Sequence, residues 1–461
     1  MIRIRSLSQA VAVALLIGAS SAHADDLMQV YQEARASDPT LSGAEATKLA
    51  TDENVDQSRS QLLPQVAASL DYRDSHGSGT NEQFFRDAGG NLVLVPINSS
   101  SHNYGRTLSG SLNQSILDIS KWTALKSSRY TANAGAATYD AAQQALLVRV
   151  ATAYFNVLTA LDALKFADAN EKALGRQLEQ AQQRFDVGLA AITDVNDAKA
   201  QHDQAIASVI NNQNNVDQAR EAVRQLTNKE PGDFRKLRDS LPLDHPTPDD
   251  PKAWVDVALK QNPTLSSAAF QVDAAGANVN SARAGHLPTI TGQLVYSQAP
   301  AWADLNSVQY GGDLHTNSKQ SDTAILFSLN VPLFTGGFTQ SRVRQAIYNR
   351  DFAQDQYEVN RRLVEATTRN NFRSVIAGAS EVRATKAAVV SAQSSVEATQ
   401  AGYEVGTRTI VDVLISQQTL LQAQSSYSAA RHTFVLNGLL LKQAAGVIEV
   451  KDLEAINALL E

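Results

Sequence analysis

Cysteine is absent from the sequence, which excludes disulfides, thiolate metal sites and cysteine nucleophiles. Aromatic residues are scarce, 6% of the chain against 43% hydrophobic residues overall. A core with so few rings has to be packed through small side chains. Abundant Ala, Gln, Asn and Ser suit long helices that meet along narrow seams. Proline is missing from 97–230 and from 333–461, while six of the twelve prolines crowd into 231–263. Proline breaks helices, so long helices belong in the two free stretches and 231–262 reads as a connector. No basic block is present and the net charge is −7, which argues against nucleic acid. The P-loop, G-x-S-x-G, G-x-G-x-x-G and H-x-x-x-H patterns are also missing, and the eight histidines are scattered. No catalytic residue, cofactor or metal ligand is predicted from these patterns, and the chain does not read as an enzyme.

What is present begins with an export signal over residues 1–24. Arg3 and Arg5 precede an apolar run at 10–18, and Ala22-His23-Ala24 fits a small-residue cleavage site. A short buried helix is the plainer reading, but the three features come in signal-peptide order. The two arginines carry the only formal charges in this segment, so the chain after Ala24 carries −9 instead of −7. No later run of 18 consecutive apolar residues predicts a transmembrane helix. An exported chain of this kind is periplasmic, secreted or an outer-membrane β-barrel.

The chain repeats itself. Asp38-Pro39-Thr40-Leu41 returns as Asn262-Pro263-Thr264-Leu265, and Leu63-Pro64 as Leu287-Pro288, both at a shift of 224. Phe185-Asp186-Val187-Gly188 returns as Tyr403-Glu404-Val405-Gly406, and Asp194-Val195 as Asp412-Val413, at a shift of 218. The boundaries follow as a first repeat over 25–230, the connector over 231–262, a second repeat over 263–447 and a C-terminal segment over 448–461.

Each repeat carries two segments of period-two alternation, predicting strands near 63–73, 106–117, 287–297 and 323–334. Val66, Ala68, Leu70 and Tyr72 share one face, with Gln65, Ser69 and Asp71 on the other. The polar faces are mostly hydroxyl and amide, as in a wet lumen. An amphipathic sheet of a soluble domain would alternate in the same way. The segments 73–105 and 298–322 read as long outer loops, and Tyr104, Trp122, Trp302 and Tyr310 as interface aromatics beyond the strand ends. Four strands cannot close a barrel, and lipid does not tolerate open sheet edges, so such a chain has to oligomerise. A trimer supplies twelve strands.

A heptad-like hairpin follows each strand pair, near 120–227 and 339–445. Val195, Ala198, His202, Ala205, Val209, Asn212, Val216, Ala219, Val223 and Leu226 alternate spacings of three and four. A helix over 120–185 would be about 100 Å long, too long for a compact domain. Val187-Gly188-Leu189 and Val405-Gly406-Thr407 read as the hairpin tips.

The runs LMQVYQ at 27–32, TAYFNVL at 152–158, VGLAAITDV at 187–195 and AGYEVGTRTIVDVL at 401–414 make the chain resemble the TolC family of outer-membrane efflux proteins. The resemblance covers nearly all of the chain after the signal. It implies an α+β membrane protein: a trimeric twelve-stranded outer-membrane β-barrel, four strands per chain, continued by a long α-helical tunnel in the periplasm of a Gram-negative bacterium. The implied function is the exit duct of tripartite efflux pumps and type I secretion, gated at its periplasmic end. The implied partners are two further copies, a periplasmic adaptor (membrane fusion) protein, an inner-membrane transporter of ABC, RND or MFS type and outer-membrane lipid, with no cofactor. Carried over position by position, Thr193, Asp194, Tyr403 and Arg408 match the family's closing network. Asp412 matches an acidic constriction, and Val187, Gly188, Leu189, Val405, Gly406 and Thr407 match the adaptor-docking tips. The family's second aspartate is replaced here by Ile415, which predicts one acidic ring and an apolar collar. Two other classes compete. A soluble periplasmic coiled-coil scaffold would lack lipid-facing strands, and a barrel hydrolase would need a catalytic constellation.

Overall fold

The computed structural model describes residues 26–307 and 312–461; the signal peptide and Tyr310 lie outside them. The first copy of the repeat contains α1 (Leu27–Ser37), α2 (Pro39–Ser60), β1 (Gln65–Arg86), β2 (Leu92–Leu117), α3 (Ile119–Asp186) and α4 (Ile192–Thr227). The second contains α5 (Pro251–Gln261), α6 (Pro263–Ala284), β3 (Thr289–Ser307), β4 (Gly312–Asn330), α7 (Phe338–Glu404) and α8 (Ile410–Ala445), and α9 (Val450–Asn457) follows. The shift of 224 carries α1 and α2, of 11 and 22 residues, onto α5 and α6 of the same lengths. The second copy therefore starts at Pro251, and α5 belongs to it and not to a connector reaching 262.

The repeated Asx-Pro-Thr-Leu motif has a local cause. Asp38 and Asn262 cap the helices that follow, accepting from the backbone N–H of Leu41 at 3.0 Å and of Leu265 at 3.1 Å. Proline then occupies the first helical position, where a missing N–H costs nothing. Burial would raise the Asp38 carboxyl, but Arg149, 2.6 Å away, and the Leu41 N–H outweigh it and hold it below its ordinary value.

The chain divides into two compact units. One, residues 50–133 and 270–354, holds an antiparallel sheet in the order β1-β2-β3-β4. Its register sorts the alternation into rungs. Val66 faces Leu112, Leu112 faces Leu294 and Leu294 faces Ile325, an apolar row across all four strands. Ser69, Ser109, Ser297 and Asp322 make a polar row on the opposite face. A slip of one residue would exchange the faces, so the rows fix the register. The strands are longer than the alternation predicted. Residues 73–105, read as a loop, are strand except for the turn at 87–91, where Asp87 accepts from the N–H groups of Gly89 and Asn91. The described parts of 298–322 are strand as well. Serine, glycine and asparagine in these extensions hide the period, and ladder pairing imposes the strand regardless. Tyr104 and Trp302 consequently lie within β2 and β3, opposite each other, with rings 5.7 Å apart. β1 and β4 are the sheet edges, and β1 is exposed along its whole length.

The other unit comprises residues up to 49, 134–269 and 355–461. Its main core gathers Leu27, Val30 and Ala34 of α1, Val150, Tyr154 and Phe155 of α3, and Leu439 and Leu453. Tyr154 donates to the Arg235 carbonyl at 3.0 Å, which ties α3 to the segment after α4. Replacing Phe155 by Ala would leave a cavity costing about 3–5 kcal/mol. The chain end is paired too: Lys236 and Glu461 exchange backbone hydrogen bonds of 2.9 and 2.8 Å. Along α4 none of the ten seam positions is exposed, and Ala198 and Val223 are fully buried. The apolar Ile206 and Ile210 point away from that seam and stay exposed.

Candidate gate and docking site at the hairpin tips

Both long hairpins turn by the same device. In the first, Gly188 N–H donates to the Phe185 carbonyl at 2.8 Å and Leu189 N–H to that of Arg184 at 2.7 Å. In the second, Gly406 N–H donates to Tyr403 at 3.1 Å and Thr407 N–H to Gly402 at 2.8 Å. This paired closure needs a left-handed residue after the helix, and Gly188 and Gly406 supply it at φ +76° and +78°. A Cβ added at either glycine would meet nothing within 4 Å. The glycines are thus required by the turn and not by crowding. Around them Val187, Leu189 and Val405 are about three-quarters exposed.

The return helices begin differently in the two copies. Thr409 caps α8 in a capping box with Asp412, whose carboxylate accepts from the Thr409 N–H at 3.0 Å. That bond, the Thr409 hydroxyl and nearby Arg408 hold the Asp412 carboxyl below its ordinary value. At the matching place before α4 stands Ala191, which has no side chain to cap with. Among the described residues the Asp194 carboxylate has no hydrogen bond or ion pair within the chain.

Tyr403 is buried among Leu174 and Ala205 of the first hairpin and Ile410, Val413 and Leu414 of its own. The Arg184 guanidinium lies over its ring at 4.8 Å, and its hydroxyl is buried without a hydrogen-bond partner. Arg408 is exposed, with its stem laid on Gly402, where a Cβ would come within 2.7 Å of Arg408 Cγ. Thr193 is exposed and Asp194 half-buried. Among the described residues no hydrogen bond within one chain joins Tyr403 or Arg408 to Thr193 or Asp194. The bond found between the hairpins in this region is Gln177 to Gln400 at 2.8 Å. Sequence reading missed Arg184, Gln177, Gln400 and the Thr409 cap. Only the last had a readable signal, a threonine followed three residues later by an acid. Asp412 is half-buried, and Ile415 is exposed one turn further along α8.

The pattern described as outer membrane efflux protein matches residues 30–229 and 254–447, one match in each copy of the repeat. The chain belongs to the outer membrane efflux protein family. Outer membrane protein TolC of Escherichia coli (strain K12) is 39% identical over 441 residues, covering 95% of this chain and 85% of the relative. The protein of the same name from Vibrio cholerae serotype O1 is 35% identical and 97% of each chain is covered. Alkaline protease secretion protein AprF of Pseudomonas aeruginosa is 27% identical over 360 residues, 77% of this chain and 72% of its own. Among solved structures, the outer membrane protein VceC of Vibrio cholerae shares the fold with a TM-score of 0.71 at 19% identity, over 91% of this chain and 96% of that one. As a family member the chain is an outer-membrane exit duct for efflux and secretion. Its sheet belongs to the membrane and its long helices to the periplasm.

Proposed function

We propose that three copies join their four-stranded sheets edge to edge into one twelve-stranded barrel, and that the hairpin tips form a gate docked by a periplasmic adaptor serving an inner-membrane transporter. The observation that carries the barrel is the pair of free edges, β1 and β4. An unpaired edge in lipid leaves every second backbone group without a partner, and closure by further copies removes that cost. Cargo is driven by the transporter, and no chemistry is done on it in the duct.

The gate reading rests on groups that, among the described residues, make no hydrogen bond within one chain: the Tyr403 hydroxyl, the Arg408 guanidinium and the Asp194 carboxylate. A neighbouring protomer's hairpin is the natural source of those partners, with Thr193 beside Asp194. Asp412 forms an acidic ring at the entrance and Ile415 an apolar collar one turn away. Trivalent-cation block measured on Ile415→Asp tests the collar: stronger block supports a pore-facing position, and unchanged block contradicts it. The docking reading rests on apolar Val187, Leu189 and Val405 held exposed on two identically built turns, with Gly188, Gly406 and Thr407 shaping them. A photocrosslinking residue at Leu189 or Val405 should capture a periplasmic protein in intact cells. The same residue at Lys48, away from the tips, should not, and equal capture at both would contradict docking there.

A further inference from the structure

The histidines that look scattered in the sequence are gathered by strand register. His76 faces His102, His102 faces Asp304 and Asp304 faces His315, one rung across all four strands. Three of the chain's eight histidines thus stand in one row. The rung shares its face with the apolar row through Val66 and with the Tyr104–Trp302 stack, and it lies two residues beyond that stack. Asp74 completes the cluster from the neighbouring rung. Its Oδ1 is 2.8 Å from His102 Nε2 and 3.6 Å from His76 Nδ1. The two imidazoles are stacked with centroids 3.9 Å apart. The other nitrogen of His102 faces Asp304 at 3.9 Å, and His315 Nδ1 lies 2.6 Å from the same carboxylate.

We propose that Asp74, His76 and His102 bind a divalent transition metal of the Zn2+ type. The three ligand atoms lie within 4.8 Å of one another. A tetrahedral ion with bonds of about 2.0–2.1 Å holds its ligands roughly 3.3 Å apart, so the ligand atoms have to draw together and the stacked rings have to turn out of parallel to aim both nitrogens at one ion. Imidazole with carboxylate suits Zn2+, Cu2+ or Ni2+, whereas Mg2+ and Ca2+ require oxygen ligands throughout. His102 Nε2 takes the metal side, and the Asp304 carboxylate, 3.9 Å from His102 Nδ1, stands where it accepts the Nδ1 proton once the ring turns toward it. Asp304 is thereby a positioning residue, fixing the tautomer and raising the basicity of the ligand nitrogen. His315 in turn holds Asp304. The surrounding concavity is lined by Ser78, Ser101, Asn306 and Asp313 and, among the described residues, by no Lys or Arg. With Asp74, Asp304 and Asp313 converging, the site attracts a cation and repels an anion. Ligands from β1 and β2 bridge the strand pair, so a bound ion also pins this end of the sheet.

The test is metal titration of the full-length protein in detergent, carrying no added histidine tag. Co2+ should give one saturable visible absorption band per chain, displaced by Zn2+ and not by Mg2+. His102→Ala should abolish the band, and Asp304→Asn should weaken binding about tenfold to a hundredfold. His245→Ala, which removes an exposed histidine paired with Asp249, should leave it unchanged. On the unsubstituted protein, Zn2+ should shield His76 and His102, and not His245, from diethylpyrocarbonate, a readout independent of how any variant folds. Absence of a saturable band, equal binding in His102→Ala, displacement by Mg2+ or absence of selective shielding would each overturn the site.

Discussion

Thr409 and Asp412 close the first turn of α8 on each other. The Asp412 carboxylate accepts from the Thr409 N–H and hydroxyl at 3.0 and 2.9 Å, and Asp412 N–H donates back to Thr409 Oγ1 at 3.2 Å. The acid proposed to charge the entrance is therefore also a helix cap. Its carboxyl is held below the ordinary value, first by the Thr409 backbone bond and then by the hydroxyl. A lowered value keeps the group ionised further into acid. Cation selectivity, read from reversal potentials in a planar bilayer, should persist below the usual carboxylate range. Thr409→Val removes the hydroxyl and keeps the charge, so selectivity should be lost at a higher pH. Asp412→Asn should abolish it at every pH. Identical titration of the parent and Thr409→Val would contradict the coupling.

The tips separate two kinds of substitution. Gly406→Ala meets no clash but forces a side chain into the left-handed region, at about 1–2 kcal/mol. It should loosen the hairpin and lower the melting temperature slightly. Leu189→Asp and Val405→Asp change groups that are 73% and 76% exposed, so stability should stay level. Efflux should fall sharply in both, because an apolar docking patch then carries charge. Full drug resistance in cells expressing the aspartate variants would contradict docking at these residues.

A bridge of residues shared by both hairpins surrounds Tyr403, with Arg184 stacked over its ring. An unpaired buried hydroxyl costs about 1–3 kcal/mol, so its partner decides the outcome of Tyr403→Phe. If a neighbouring protomer supplies the partner, Tyr403→Phe together with Arg408→Ser should raise single-channel conductance. If no protomer does, removing the hydroxyl should raise the melting temperature and leave conductance as it was.

Buried His432 donates to or accepts from Thr159 at 2.7 Å and lies beside Asp162. Burial lowers its value to about 4, with Arg431 adding to the effect and Asp162 opposing it. The folded chain therefore binds this proton less readily than the unfolded chain, whose histidine titrates near 6.5. Stability from His432 is complete above about pH 6.5 and falls as pH drops toward 4. The parent should lose melting temperature across that window more steeply than His432→Gln. Parallel pH curves would show that His432 is not held neutral.

The duplication, the seams and the hairpin tips were legible because each is a local pattern. Period, glycine and proline act within a few residues, and α3 begins and ends within a residue of where they point. The strand extensions were not legible. Ser99, Ser100 and Ser101 carry no alternation, and only pairing with β1 and β3 makes them strand. The start of the second copy at Pro251 was hidden by prolines that look like a linker yet serve as first helical residues. The surroundings of Tyr403 and the row through His76 and His102 come from register and packing between segments far apart in sequence. No spacing rule reaches them.

Everything proposed for the gate depends on three copies sharing one barrel, because a single chain leaves the outer edges of β1 and β4 unpaired. Native mass spectrometry of the complex extracted in mild detergent measures this directly. The expected species contains three chains and survives without its adaptor. A stable species of one chain, or of two or four, would contradict the twelve-stranded closure and the gate built upon it.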